Sequence, residues 1–221
     1  MTFSDIEVSS ISELLKQAGK LEKTDAWIFR GMHNSEYELQ PSVGRIRHDS
    51  IRNKLTAYRE RRYLWQFRDW VRPHVSLTIA NELEWLVLGQ HHGLPTRLLD
   101  WTRSPIVAAY FAVKTIEVSV ILNAAGSASK RKPIDGTIYA VPRPPKVSAR
   151  DRTYPFKIAR VKLVDPPHIS ERVPRQVGVL TIHPDPREPW TPKGAIRFNV
   201  PNAAKMNMKN ELLGLWAQPL F

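Results

Sequence analysis

Arg30 stands in the middle of AWIFRGM, residues 26–32, a stretch otherwise built of aromatic, aliphatic and small residues. A guanidinium in such a setting is costly to bury alone, so it requires a carboxylate, a carbonyl cluster or a ligand anion. Two assignments stay open. Arg30 locks the core by pairing with Asp100 or an acid such as Glu60, or its fork takes the phosphate or ribose of a substrate.

A second concentration of polar chemistry lies in GQHHGLPTRLLDWTRSPIVAAYFAV, residues 89–113. Arg97 and Asp100 are three positions apart on an expected strand, so they leave on opposite faces and take different partners. Asp100 and Thr102 precede a helix announced by Ser104 and Pro105, whose free N–H groups suit an anion or polar ligand. Asp100 serves equally well as a structural counter-charge there. In the functional reading Gln90, His91, Thr96, Arg97, Asp100 and Thr102 line one rim of a pocket whose opposite wall holds Arg30. Leu98, Leu99, Val107, Ala108, Ala109 and Phe111 then bury the strand and helix.

Several chemistries lack their residues. With no cysteine there is no thiolate nucleophile, thiolate metal site or disulfide. His91 and His92 are neighbours, which on a helix point about 100° apart, and no HExxH or i, i+4 histidine pair occurs, so no metal site is expected. The sequence contains no Walker A motif, no G-x-G-x-x-G after a strand and no G-x-S-x-G elbow.

The formal net charge is +12, which favours an anionic partner: a nucleic acid, a phosphorylated cofactor or an acidic protein. Lys and Arg outnumber acids nine to three between Arg45 and Arg72, and again between Arg143 and Arg175. In the first segment RERRYLWQFRDW interleaves aromatics with arginines, the pattern of a base-stacking surface. Trp65, Phe67 and Trp70 also sit at helical spacing, which reads more simply as a core stripe. No long apolar run and no leader-like N-terminus occur, so a cytoplasmic protein with no membrane contact is expected.

The elements that must position these residues follow from caps and periodicity. Ser9 or Ser10 starts a helix through Ile11, Leu14, Leu15 and Ala18 that Gly19 stops. AWIFRGM reads as a strand with Trp27, Phe29 and Gly31 on one face and Ile28 and Arg30 on the other. A basic helix runs from Asp49 to Pro73, and a second one follows within residues 77–93. TRLLDW is a strand and SPIVAAYFAVKTIEV a helix. Residues 123–136 read as a mobile loop, GTIYAV as a strand, FKIARVKLV and RQVGVLTIH as two more, and the tail as a helix before Pro219. Together these predict an α+β fold: a single mixed domain, a small β-sheet of short strands with flanking helices over residues 25–221, led by an N-terminal helix and lead-in at 1–24.

AWIFRGM, ELQPSVGR, WLVLGQHHGLPTRLLDWTRSPIVAAYFAV and RVPRQVGVLTIH together resemble the FRG domain family, named for the triplet Phe29-Arg30-Gly31. The likeness spans about residues 25 to 185. The pattern of an aromatic-Arg-Gly first strand, a second strand leading into an Ala-rich helix and a late strand with Glu or Gln is also similar to ADP-ribosyltransferases. That likeness implies NAD as cofactor, Arg30 on its ribose or phosphate, and Thr96, Asp100 or Thr102 near the nicotinamide. Gln176 takes the late-strand place. There the chain departs from the pattern, because an amide cannot act as a base. Turnover would then need another acid, Glu171 or Glu60, or else the domain binds a nucleotide without reaction. The function expected from the resemblance is an NAD-using toxin or antiphage effector that modifies a nucleic acid or protein, with an antitoxin as a possible partner. The alternative is a non-catalytic, basic nucleic-acid-binding module.

Overall fold

Side-chain caps set the helix starts, and close β-pairing carries the rest. The computed structural model describes residues 3–21, 26–45, 57–74, 78–115, 118–122, 128–165 and 178–217. Strand β1 (Ser4–Glu7) leads into helix α1 (Ile11–Ala18), where Ser10 Oγ accepts from the Glu13 N–H at 3.1 Å. Strand β2 (Trp27–Met32) follows, then helices α2 (Ala57–Val71) and α3 (Glu82–His91). Strand β3 (Leu98–Thr102) feeds helix α4 (Pro105–Val113), with Ser104 as cap and Pro105 at the first helical position. Next come β4 (Val118–Leu122), β5 (Ala128–Pro133), β6 (Gly136–Pro142) and the short helix α5 (Ala149–Thr153). Strands β7 (Lys162–Val164), β8 (Gly178–Ile182) and β9 (Ile196–Val200) precede the last helix, α6 (Asn202–Ala217). The fold is mixed α+β.

The chain packs into two compact units. The first comprises residues 1–38, 102–143 and 191–221. Its strands lie in the order β1-β9-β6-β2, with β1 parallel to β9 and the other pairs antiparallel. Phe29, Ile138, Ala140, Phe198 and Val200 point from one face of this sheet into a core shared with α1, α4 and α6. Period-2 alternation decides which residues those are, since their neighbours along each strand face the other way.

Alpha-helix α4 approaches β2 unusually closely. A Cβ placed on Gly31 would lie 1.7 Å from the Ala108 carbonyl oxygen. The glycine of the Phe-Arg-Gly triplet is therefore a packing residue, and the run Ala108, Ala109, Ala112 keeps the helix thin where it touches the strand. Lys205 on α6 is fully buried in the same unit. Its ammonium donates to the carbonyls of His33 at 2.6 Å and Ile134 at 2.7 Å, so its charge meets backbone dipoles.

The second unit comprises residues 39–101 and 144–190. Its strands run in the order β3-β8-β7, with β7 and β8 antiparallel. Leu64 of α2, Leu83 and Leu86 of α3, and Leu98, Val164, Leu180 and Ile182 of the strands form its core. Helix α3 ends on a left-handed Gly93, φ 86°. The Leu94 N–H reaches the Gly89 carbonyl at 2.8 Å and the Gly93 N–H reaches that of Gln90 at 3.0 Å. This pair of bonds is a Schellman closure, so the second glycine of GQHHG is a helix stop.

Several expectations change. Helix α4 ends at Val113 instead of running on to Val118, which starts β4. Residues 128–133 of the expected mobile loop form β5, antiparallel to β4, and residues 123–127 lie outside the described residues. Only Lys162–Val164 of FKIARVKLV is strand, because Pro155 opens a 3-10 turn through Lys157. Strand β1, SDIE, is too short and polar to be seen in advance, whereas β9, IRFNV, carries the period-2 alternation of a half-buried strand and was open to reading. Phe111 is 43% exposed, and Ala112 and Val113 take the core positions instead. Trp65 and Trp70 do not form a core stripe. The buried face of α2 is Glu60, Leu64 and Val71. Gln176 and Glu171, and the start of the basic helix at Asp49, lie outside the described residues.

Candidate functional site

The expected site residues divide between the two units: Arg30 and Thr102 fall in the first, and Glu60, Gln90, His91, Thr96, Arg97 and Asp100 in the second.

In the first unit, Arg30 sits on β2 facing away from α4. Strand register sets Arg30 opposite Tyr139, Tyr139 opposite Arg197, and Arg197 opposite Asp5. Partners in register share a sheet face, so these four side chains form one polar row across four strands. Arg197 holds Asp5 through two bonds of 2.6 and 2.9 Å, and its guanidinium lies over the Phe3 ring at 5.6 Å. The Arg197 hydrogen bond keeps the Asp5 carboxyl below the usual carboxylate range. Burial pushes the Tyr139 hydroxyl up, against the opposing hydrogen bond from Arg197. Thr102 pairs with Phe29, and its Oγ1 accepts from the Ser104 N–H at 3.1 Å, which makes it part of the turn into α4.

In the second unit, Arg97 and Asp100 do take different partners. Arg97 is held by Glu60 of α2 in a two-pronged pair, Nε to Oε2 at 2.9 Å and Nη2 to Oε1 at 2.7 Å. Its Nη1 donates to the carbonyls of His183 and Pro184, both at 3.2 Å, and the Phe156 ring lies 4.8 Å from its Cζ. Side-chain exposure is 2% for Arg97 and 5% for Glu60. Glu60 thus meets Arg97, where the sequence reading had set it against Arg30. The pair lies sealed inside the unit and ties α2 to β3.

Asp100 is exposed, and the Gln90 amide donates to its Oδ1 at 2.8 Å. Gln90 Oε1 in turn accepts from the Thr96 hydroxyl, which also accepts from the Leu98 N–H at 3.1 Å. The Thr96 N–H donates to Ser42 Oγ at 3.2 Å. A polar chain thus runs from Ser42 through Thr96 and Gln90 to a carboxylate open to solvent. His91 is exposed at the end of α3 and packs edge-to-face on His92.

Sequence reasoning underrated the outer face of α2. Tyr58 is 69% exposed, Trp70 74%, Tyr63 45% and Trp65 42%. Arg59 and Arg62 lie among them, lining a shallow concavity with Tyr58, Tyr63 and Gln66. Arg61 stacks over Trp65 at 5.2 Å while bonding Glu82 of α3 at 2.7 Å. Glu60, Leu64 and Val71 form the inward stripe with Phe67 half-buried beside them, which leaves Tyr58, Tyr63, Trp65 and Trp70 outside.

Among the described residues, three carboxylates stand below their ordinary range. For Asp5 the leading cause is the Arg197 hydrogen bond, and for Asp185 that from Arg187. For Asp151 burial works the other way, but bonds from Lys162 and Ser148 outweigh it and bring the group down to about 2. A carboxylate with a depressed folded-state value stabilises above its unfolded value and loses that contribution as pH falls. Stability in urea is therefore expected to hold from neutrality to about pH 4 and to fall steadily toward pH 2. Asp151→Asn should flatten that decline, measured as the unfolding midpoint against pH.

The sequence profile of the FRG domain family matches residues 25–119. That span contains the Phe-Arg-Gly strand, both α2 and α3, the QHHG closure and α4. No curated protein and no solved structure matches the chain.

Proposed function

From a chain that carries an FRG domain over residues 25–119, we propose a protein that binds single-stranded nucleic acid across the outer face of α2. The observation that carries this reading is the exposure of Tyr58, Tyr63, Trp65 and Trp70 among Arg59, Arg61 and Arg62. Large aromatics are seldom left in water without a partner, and flat rings beside guanidinium groups suit stacked bases and phosphates together. The net charge of +12 draws a polyanion toward this surface.

The test is fluorescence anisotropy with a labelled oligonucleotide over a range of salt concentrations. Affinity should fall with rising salt, and Arg62→Ala should reduce the log–log slope by about 0.7 for one lost phosphate contact. Tyr58→Ala and Trp70→Ala should each weaken binding by about 1–3 kcal/mol per lost stack without changing that slope. Affinity indifferent to salt and to all three substitutions overturns the proposal.

A second reading, NAD-dependent ADP-ribosyl transfer to a nucleic acid or protein by a toxin or antiphage effector, is favoured by one observation. Asp100 offers a solvent-exposed carboxylate held in place by Gln90, the kind of group that can meet a cationic or hydroxyl-bearing ligand. Incubation with labelled NAD and cell extract, with Arg30→Ala and Asp100→Asn beside the wild type, tests it. Label transfer abolished by either change supports the reading. Intact NAD with no transfer by the wild type removes it.

A further inference from the structure

The second unit contains a basic concavity that neither reading uses. It lies between α5 and β7, with a volume of about 580 Å³. Arg150, Lys157, Arg160 and Lys162 line it, together with Ser148 and Asp151. Four cations therefore face one acid, and that acid is already engaged. Asp151 accepts from Lys162 Nζ at 2.5 Å, from the Ser148 N–H at 2.7 Å and from Ser148 Oγ at 2.6 Å.

This engagement fixes Lys162 on the wall and leaves Arg150, Lys157 and Arg160 as net positive charge around the opening. Among the described residues no acid forms an ion pair with any of those three. Arg150, Lys157 and Arg160 are exposed, while Ile158 beside them is buried. Like charges gathered around one hollow repel one another, and an anion seated among them relieves that repulsion. Two guanidinium groups present planar forks, which match the oxygens of a phosphate better than a single ammonium does. The volume exceeds what one phosphate needs and suits a diphosphate or a nucleotide.

We infer that this concavity is a binding site for a phosphate-bearing ligand, held by Arg150, Arg160 and Lys157 around the Lys162–Asp151 pair. The phosphate can belong to a free nucleotide or to the end of a nucleic-acid strand. The inference does not depend on strand binding at α2.

Isothermal titration of the full chain with inorganic pyrophosphate at physiological salt tests it. Saturable binding is expected, weakened at least about tenfold in Arg150→Gln/Arg160→Gln and unchanged in Tyr58→Ala/Trp70→Ala. Both pocket positions are exposed, so the double variant should retain the wild-type unfolding midpoint. Absence of saturable binding overturns the inference. So does binding that the pocket variant leaves intact, or equal affinity for malonate, which would mark a general anion patch. An oligonucleotide with a 5′-phosphate, compared with one lacking it, then assigns the source. Preference for the phosphorylated end that vanishes in the pocket variant identifies a strand terminus, and competition by a nucleotide alone identifies the free ligand. Failure of strand binding at α2 would leave the pyrophosphate result standing, so the two outcomes are separable.

Discussion

Glu60→Ala is expected to destabilise the protein by about 3–5 kcal/mol, the cost of leaving a buried cation without its anion. Arg97 is 2% exposed, and among the described residues Glu60 is the one acid bonded to it, while Asp185, already engaged by Arg187, acts on it only through space. The two carbonyls and the Phe156 ring that remain cannot neutralise a full charge. An ordinary domain is stable by about 5–15 kcal/mol, so the loss takes a large share of the total. Urea unfolding followed by tryptophan fluorescence measures it. Glu60→Leu/Arg97→Met removes both charges at similar volume and should recover much of the loss, short of what the stranded His183 and Pro184 carbonyls cost. A single variant within about 1 kcal/mol of wild type would show that the pair does not carry the junction of α2 and β3.

Gly31→Ala comes next, at about 3 kcal/mol or more, the upper end of overpacking costs. The added methyl would sit 1.7 Å from the Ala108 oxygen, 2.7 Å from its carbon and 2.9 Å from the Ala112 nitrogen. All three are backbone atoms. Trimming a side chain therefore cannot make room, and α4 would have to lift from β2, opening the core of Phe29, Ala108 and Ala112. The double variant Gly31→Ala/Ala108→Gly separates this account from a side-chain clash. It should remain as unstable as the single one, and a rescue would refute backbone contact as the cause. Thermal melts by circular dichroism give the comparison directly.

These two effects show why the same motif carries both identity and architecture. In QHHGLPTRLLDWT, Gly93 stops a helix, Thr96 joins a strand start to Gln90, Arg97 holds α2, and Asp100 is the one residue of β3 that reaches solvent. Likewise, Gly31 of the Phe-Arg-Gly triplet is fixed by contact with α4, while Arg30 beside it belongs to a polar row on the other sheet face. Adjacent residues with opposite duties are what a strand produces, since its side chains alternate.

Local chemistry made much of this legible in advance. Ser10 and Ser104 announced their helices by capping, Pro105 by its fixed φ, and GTIYAV and WIFRGM by β-branched and aromatic content. The faces of Arg30 and Gly31, and the separation of Arg97 from Asp100, followed from the period of two. Tertiary structure alone decided the partners. The Glu60–Arg97 pair joins residues 37 apart, and the row from Arg30 to Asp5 depends on strand register between segments distant in sequence. The outward turn of Tyr58, Trp65 and Trp70 belongs to the same class, because an amphipathic helix can offer more than one plausible stripe. Which stripe faces inward depends on what the rest of the chain places against it, and here a buried arginine drew Glu60 inward and left the aromatics in water.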